Sequence, residues 1–554
     1  TVEQKVGQVL APAISPTRRG SSRATGKQIT AWIEKYQIGH LYLAGNRMDP
    51  VQLAELINEA QRQSSVPLLM HTDLECGPGS RIDGGTILPP LMGIAQTRSE
   101  EGAYQAAAIT AQEARAMGFH LINSPVLDVN INPDNPVICI RSFGDNPTLV
   151  ADMGQAFVRG LNDHRLIGAA KHFPGHGDVA IDSHSKMPTI LADRQRLDSV
   201  EFYPYRQVID AGLTAVMTAH ISVPALDATP QLPATLSKPI MTDLLRGALG
   251  FDGLVITDAF NMKGILESGS FEESVVQSLV AGNDVVLLWT EPRFATVFPY
   301  VVRAVREGRI SSERLDEAVR RNLTMKARLG LYEQKLVSVD SVRQRVGTPE
   351  HQRIADAFYE QSVVLVKNEG SILPLTQQKR VAVLSVNDDE EHLAIGDTFI
   401  DQLKQRTSEV NSAAIAPTTS EQQLAQRLNE VQSADVIVVA LFARIFANRG
   451  SSSLIHAPLI RFLQQLAAGD TPVMVVSFGS PYLLTHFPKV DGYMIATEPT
   501  WDFYGYDKHR PGQLAAARAL LGEIDITGRL AVTIPGLFPF GHGIQYRITP
   551  KTGQ

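Results

Sequence analysis

Through its first 335 positions the chain switches repeatedly between short apolar runs and longer stretches whose apolar residues recur every three or four positions. The runs are Val6–Ile14, His40–Ala44, Pro67–Asp73, His120–Val129, Gly168–His172, Ala215–His220, Leu254–Asp258 and Asp284–Trp289. Many are apolar throughout, as strands are when both faces of their sheet are covered. Helical periodicity marks Pro50–Gln63, Glu100–Met117, Leu149–Asn162, Arg194–Ala211, Ser237–Leu249 and Phe271–Ala281 between them. Arg293–Arg306 and Ser312–Leu329 follow the last run. Strand and helix alternating in this way predict an α/β fold, a (β/α)8 TIM-type barrel over residues 1–335.

A polar stretch at 336–355 reads as a linker, and the pattern resumes over 356–554. Buried-strand candidates there are Val381–Val386, Val436–Leu441, Val473–Phe478 and Gly492–Ala496, separated by helical stretches Glu421–Val431, Leu454–Ala468 and Gly512–Leu521. This predicts an α/β sandwich domain. No glycine-rich phosphate fingerprint follows its strands, so a structural or substrate-shaping role is expected of it.

Composition narrows the function. A chain of 554 residues exceeds what one hydrophobic core organises, and 44% apolar with 20% charged residues is the mix of a folded protein. A net charge of −7 over this length gives no electrostatic grip on nucleic acid or anionic membrane, so neither is expected as a partner. No apolar run is long enough for a membrane-spanning helix. The sequence opens at Thr1 without Met or an apolar leader, which suggests a removed leader or a trimmed chain. The two cysteines, Cys76 and Cys139, have no zinc-knuckle partner spacing, and stability must come from ordinary cores.

In a barrel, chemistry gathers where strands end. Asp73, Arg141, Lys171 with His172, His220 and Asp258 all fall at or just beyond expected strand ends. Between Lys171 and His184, three His, two Asp and a Lys occupy 14 positions, and the Gly and Pro residues among them make the segment a loop. Three readings stand side by side: a metal site of His172, His176 and His184, an acid/base site, or a solvated polar surface. The acid/base reading rests on Asp182 and His184, two positions apart, whose side chains point the same way in extended chain. A carboxylate on one imidazole nitrogen fixes the tautomer and supports the imidazolium; the same contact also serves simply to brace a loop. Asp258 ends an apolar strand, where a carboxylate is costly unless it opens into a site or caps the backbone. At a barrel mouth its chemistry is that of a nucleophile at a glycosidic carbon.

These residues carry a resemblance. Lys171-His172-Phe173-Pro174-Gly175-His176-Gly177, the triplet Asp182-Ser183-His184 and the run Thr257-Asp258-Ala259-Phe260-Asn261-Met262 resemble glycoside hydrolase family 3, in its β-N-acetylglucosaminidase branch. Asn132-Pro133 through Arg141-Ser142-Phe143-Gly144 and Val216-Met217-Thr218-Ala219-His220 match as well. So do Val364 through Leu375, Gly528-Arg529-Leu530 and Pro539-Phe540-Gly541-His542-Gly543 in the second half, so the likeness spans nearly the whole chain. The Asp-Ser-His triplet is the most specific element, because the family's β-glucosidases take a Glu acid/base from the second domain.

The resemblance implies Asp258 as nucleophile, His184 as general acid/base and Asp182 as its partner. It implies Asp73, Arg81, Arg141, Lys171 and His172 as sugar-binding residues. His220 contacts sugar or lines the barrel, His176 shapes the loop or is a structural histidine, and Met262 and Trp289 line the mouth. No metal or organic cofactor is implied, and the partner is a small carbohydrate. The activity implied is a retaining exo-β-N-acetylglucosaminidase acting on muropeptides or chitin oligosaccharides. A β-glucosidase, a phosphorylase of the same family and a non-catalytic sugar-binding protein are the alternatives.

Two departures stand out. Where the family has Asp-x-Glu-Gly-Gly and Val-Ile-Gly-x-Arg, this chain has Asp73-Leu74-Glu75-Cys76-Gly77 and Val137-Ile138-Cys139-Ile140-Arg141. Both cysteines replace mouth-loop glycines, as two separate buried thiols or as a loop-to-loop disulfide. A disulfide belongs to an oxidising compartment, and a secreted, periplasmic or cell-envelope location is expected over the cytoplasm.

Overall fold

Thr1 caps a helix. Its hydroxyl accepts from the Gln4 N–H at 3.3 Å while the Gln4 side chain accepts from the Thr1 amine at 2.8 Å, so Val2–Val9 is helical. The first strand is therefore shorter than the apolar run beginning at Val6: β1 covers Leu10–Ile14. The computed structural model describes residues 1–15, 22–266, 269–288, 291–376, 379–388, 390, 392–443, 455–499 and 510–548. Trp289 lies outside them.

After β1 come β2 (His40–Leu43), β3 (Leu69–Thr72), β4 (Leu121–Ile122), β5 (Ile167–Phe173), β6 (Ala215–Thr218), β7 (Leu254–Thr257) and β8 (Val286–Leu288). They pair in parallel in the order β7-β6-β5-β4-β3-β2-β1-β8. The ring nearly closes where Ile256 bridges Val285 and the Thr257 N–H donates to the Val285 carbonyl at 3.0 Å. One buried cluster takes Ala11, Tyr42, Leu69, Leu121, Ala169, Met217, Ile256 and Leu287, a residue from each strand, and fills the barrel.

Three expected elements are shorter or broken, each for a local reason. The run His120–Val129 pairs as a strand only over Leu121–Ile122. Pro125 has no N–H to offer the ladder, and beyond it only Val126 bridges Lys171. The helix expected over Arg194–Ala211 is two, Arg194–Ser199 and Phe202–Asp210, with Pro204 in the first turn of the second. Pro239–Ala248 is wound wide, the Leu249 N–H reaching back five residues to the Leu244 carbonyl at 2.8 Å. Helices Pro50–Gln63, Glu100–Met117 and Phe271–Ala281 form over the expected residues. Ser22–Tyr36 is a helix that the apolar pattern did not single out.

At the opposite end from the strand C-termini, Asp284 just before β8 is fully buried. It meets Arg246 at 2.6 Å, Arg314 at 2.8 Å and Arg321 at 3.2 Å, and accepts the Val255 N–H at 3.0 Å. Nearby, the buried Lys326 ammonium donates to Gln8 Oε1 at 2.6 Å.

By its contacts the chain divides into two units. One holds Thr1–Ile87, Ala103–Val129 and Pro147–Gln352; the other holds Leu88–Gly102, Asn130–Asn146 and Arg353–Gln554. In the second, β9 (Val364–Asn368), β10 (Arg380–Asn387), β11 (Glu409–Ile415), β12 (Val436–Phe442), β13 (Val473–Ser477) and β14 (Gly492–Ile495) form one sheet in the order β11-β10-β12-β13-β14-β9. Only β9 runs antiparallel among these pairings. β11 was not legible in the pattern because it is an edge strand whose residues are mostly exposed. The Asn130–Asn146 segment is tied in by the Asn130 amide, which donates to the Tyr482 hydroxyl at 2.8 Å, and by Asp145, which accepts the Thr533 N–H at 2.7 Å. Cys76 and Cys139 are both buried thiols, so the loop-to-loop disulfide is not formed.

Candidate active site

The parallel strands of the barrel end on one rim, and the polar residues collect there. Asp73 follows β3, Lys171 and His172 lie in the last turns of β5, His220 follows β6 and Asp258 follows β7. Arg81 comes from the loop after β3, behind the turn Pro78–Ser80.

Asp73 is the hub of one cluster. Lys171 Nζ lies 3.3 Å from Asp73 Oδ1, Arg81 Nη2 lies 3.4 Å from Oδ2, and the Tyr42 hydroxyl donates to the same carboxylate. Arg81 is oriented further by the Asp73 carbonyl at 2.8 Å and by Asn46 at 2.9 Å. Lys171 also meets Glu75 at 2.6 Å. Burial pushes the Asp73 carboxyl up, but Lys171, Arg81, Tyr42 and Asn123 outweigh it and hold the group well below the ordinary range. The result is an ionised acceptor flanked by fixed donors, the kind of array that reads sugar hydroxyls.

Asp258 forms the second focus. Its Oδ1 accepts the N–H of Ala259 at 2.7 Å, which sets the carboxylate at the strand end. Burial raises its pKa; the charges of His172, His220 and His184, with the Ala259 N–H, lower it below the usual value. His220 is buried between Thr235, 2.9 Å from Nδ1, and the Ala259 carbonyl, 3.3 Å from Nε2, so it shapes the wall beside Asp258. Met262 is buried in the same turn, its N–H donating to the Ala259 carbonyl at 3.2 Å.

The loop after β5 supplies the third group. His184 Nδ1 donates to Asp182 Oδ1 at 2.7 Å, and the His184 N–H donates to the same oxygen at 2.9 Å. Asp182 is buried whereas 41% of the His184 side chain is exposed. The loop leaves β5 through Gly175, at φ 138, where a Cβ would lie 2.6 Å from the Glu201 side chain.

Asp128 underlies all of this. Its buried carboxylate takes His172 Nδ1 at 2.7 Å, the His172 N–H at 3.1 Å and the His176 N–H at 2.7 Å. The metal reading of His172, His176 and His184 finds no support in this arrangement, and among the described residues no three metal-ligating side chains converge. Arg141 is placed elsewhere in the chain's organisation: it ends the turn Cys139–Arg141 in a segment of the second unit, where it donates to the Val137 carbonyl at 3.0 Å.

Residues 1–325 match the glycosyl hydrolase family 3 N-terminal domain, and residues 363–546 match the family's C-terminal domain. The chain belongs to glycoside hydrolase family 3. This family 3 chain is 28% identical over 553 residues to beta-hexosaminidase A of Pseudoalteromonas piscicida, across 92% of this chain and 91% of that one. It is 29% identical over 465 residues to a beta-N-acetylglucosaminidase/beta-glucosidase of Cellulomonas fimi, across 80% and 81% of the two chains. Among solved structures, a family 3 beta-N-acetylglucosaminidase from Paenibacillus sp. str. FPU-7 superposes with a TM-score of 0.84 at 30% identity, over 96% of this chain and 99% of that one. The family 3 chain is thus a glycoside hydrolase with the two-domain fold of its relatives.

Sequence reasoning passed over Tyr42, Glu75 and Asp128. Tyr42 has no signal beyond its place in a strand. Glu75 stands two positions from Asp73, a spacing that was visible, and Asp128 is a carboxylate inside the apolar run His120–Val129, the same signal that singled out Asp258.

Proposed function

We propose that this glycoside hydrolase is a retaining, exo-acting β-N-acetylglucosaminidase that releases terminal β-linked N-acetylglucosamine from muropeptides or chitin oligosaccharides. The observation that carries the reading is the Asp182–His184 pair, braced at 2.7 Å on a loop of the same unit as Asp258, whose carboxyl feels the His184 charge. The names of the relatives agree with it.

The chemistry divides into two displacements at the anomeric carbon. Asp258, ionised, attacks that carbon as the bond to the leaving oxygen breaks, and His184 Nε2–H gives its proton to that oxygen. Asp182 stabilises the imidazolium whenever it forms. In the second step His184 takes a proton from water, the oxygen attacks the same carbon, and the Asp258 carboxylate departs. Two inversions leave the configuration retained. Asp73, Lys171, Arg81 and His172 bind the sugar, with His220 and Met262 lining the wall.

An imidazole acid/base places no second negative charge at the site when the acceptor arrives. That favours one further reading, transfer to phosphate in place of water, and it is separable by experiment. The test compares nitrophenyl N-acetylglucosaminide with nitrophenyl glucoside, each with and without phosphate. Preferred turnover of the former without phosphate is the expected result. Preference for the glucoside, an absolute phosphate requirement, or binding without turnover would each displace the proposal.

A further inference from the structure

Ser183, the residue between the two members of the dyad, is gripped from two sides. Its hydroxyl and His176 Nε2 are hydrogen-bonded at 3.0 Å, and its carbonyl accepts the Gly264 N–H at 3.0 Å. Gly264 lies in the short helix Lys263–Leu266, six residues after Asp258, so that bond ties the loop to the segment that carries the carboxylate. The approach depends on the missing side chain. A Cβ at Gly264 would lie 2.9 Å from the His220 carbonyl oxygen and 3.2 Å from that of Ser183.

The other grip leads inward. His176 is itself held by its backbone N–H on Asp128 Oδ1, and Asp128 holds His172 at the same time. Asp128, His176, Ser183 and Asp182 are all nine-tenths or more buried, while His184 beyond them is half exposed. A solvated loop needs no such chain of buried polar contacts, because each buried polar group must recover what it loses by leaving water. Burial holds the His176 ring neutral down to about 4, so the link to Ser183 is a neutral hydrogen bond at neutral pH.

We propose that Asp128, His176 and Ser183 form a latch that sets the position of His184, with Gly264 as its keeper. None of the four touches the reacting atoms; they are positioning residues that act through the dyad. The proposal rests on His184 being the acid/base. With the latch broken, Asp182 and His184 keep their own bond but lose their fixed distance from Asp258, and proton delivery to the leaving oxygen falters. Breaking the latch at Ser183 or His176 leaves the Asp73 cluster and the Asp128–His172 contact in place, so sugar binding is untouched.

The experiment measures kcat and KM for Ser183→Ala and His176→Ala on an activated nitrophenyl N-acetylglucosaminide and on chitobiose, whose leaving group needs the proton. Loss of one neutral hydrogen bond predicts a fall in kcat on chitobiose of about threefold to tenfold, with KM unchanged and the nitrophenyl substrate changed by less than about twofold. Ser183→Thr, which keeps the hydroxyl, and His176→Gln, which keeps a nitrogen near Nε2, restore activity on chitobiose. Gly264→Ala reproduces the Ser183→Ala pattern. Equal losses on both substrates, or none, overturn the latch. His184→Ala run beside them reports on the underlying assignment: if it shows no greater loss on chitobiose, the acid/base reading falls and takes the latch with it. A differential effect of His184→Ala without one for Ser183→Ala removes the latch alone.

Discussion

A carboxylate serves as a nucleophile only when it is ionised and exposed to its target, and burial works against the first condition. Asp258 meets it through the surrounding imidazoles and the Ala259 N–H, which hold its pKa below the ordinary value despite burial. The proposed nucleophile is therefore charged throughout the neutral range. Asp258→Ala is expected to abolish turnover on every substrate, and a slow-turnover fluorinated N-acetylglucosaminyl donor should leave its label on the peptide holding Asp258 in wild type only. For His184→Ala the expected loss is about a hundredfold to ten-thousandfold in kcat on chitobiose and far less on nitrophenyl substrates. Equal losses would remove the acid role. At this scale a charge interrupting an apolar strand end drew the reading to Asp73, Lys171 and Asp258, though the same signal at Asp128 was passed over. It was silent on Tyr42, whose hydroxyl reaches Asp73 only because the barrel brings β2 and β3 side by side.

Among elements, those with a complete local signal were legible to the residue. Pro50–Gln63 has an Asp49 cap that accepts the Val51 and Gln52 N–H groups, a proline at its first position and an apolar face, and it forms over the expected span. Elements decided by tertiary pairing were not, as the exposed edge strand β11 and the truncated β4 make plain. The helix Ser312–Arg328 carries a different consequence. It buries Lys326 with Gln8 as its hydrogen-bond acceptor, and burial lowers the ammonium to about 7. The folded pKa is thus below the unfolded one, so between about 7 and the ordinary lysine value near 10.4 the unfolded chain holds more protons. Stability contributed by this group rises as pH increases through that window and is at its lowest below it. Lys326→Met should flatten this slope, so wild type gains on the variant in denaturant midpoint between about pH 7 and about pH 10. Parallel slopes would mean that the folded lysine keeps its proton through that window, as the unfolded one does.

At the level of the whole molecule, the barrel and the sheet of the second unit follow from the strand-and-helix alternation visible along the chain. What no pattern displayed is how the barrel is fastened at its far end. Asp284 accepts three arginines drawn from Pro239–Ala248 and Ser312–Arg328 together with a backbone N–H of β7. Those partners are up to 38 residues away in sequence, and nothing local marks them. Removing one side of such a buried pair leaves its partners uncompensated, so Asp284→Asn should cost about 3–5 kcal/mol in urea unfolding with kcat of the remaining folded enzyme unchanged. A cost below about 1 kcal/mol would show the arginines to be solvated rather than clasped.

The second unit is assembled from three lengths of polypeptide, two of them short excursions out of the first. Those excursions bring Leu91, Met92, Ile94, Ile138, Ile140 and Phe143, all buried. Severing the chain once, at residue 352, therefore cannot yield a clean barrel. The truncated product would carry two greasy ribbons stripped of their packing, prone to clump in solution, and any attempt to express the halves apart must first shorten or re-polarise these detours.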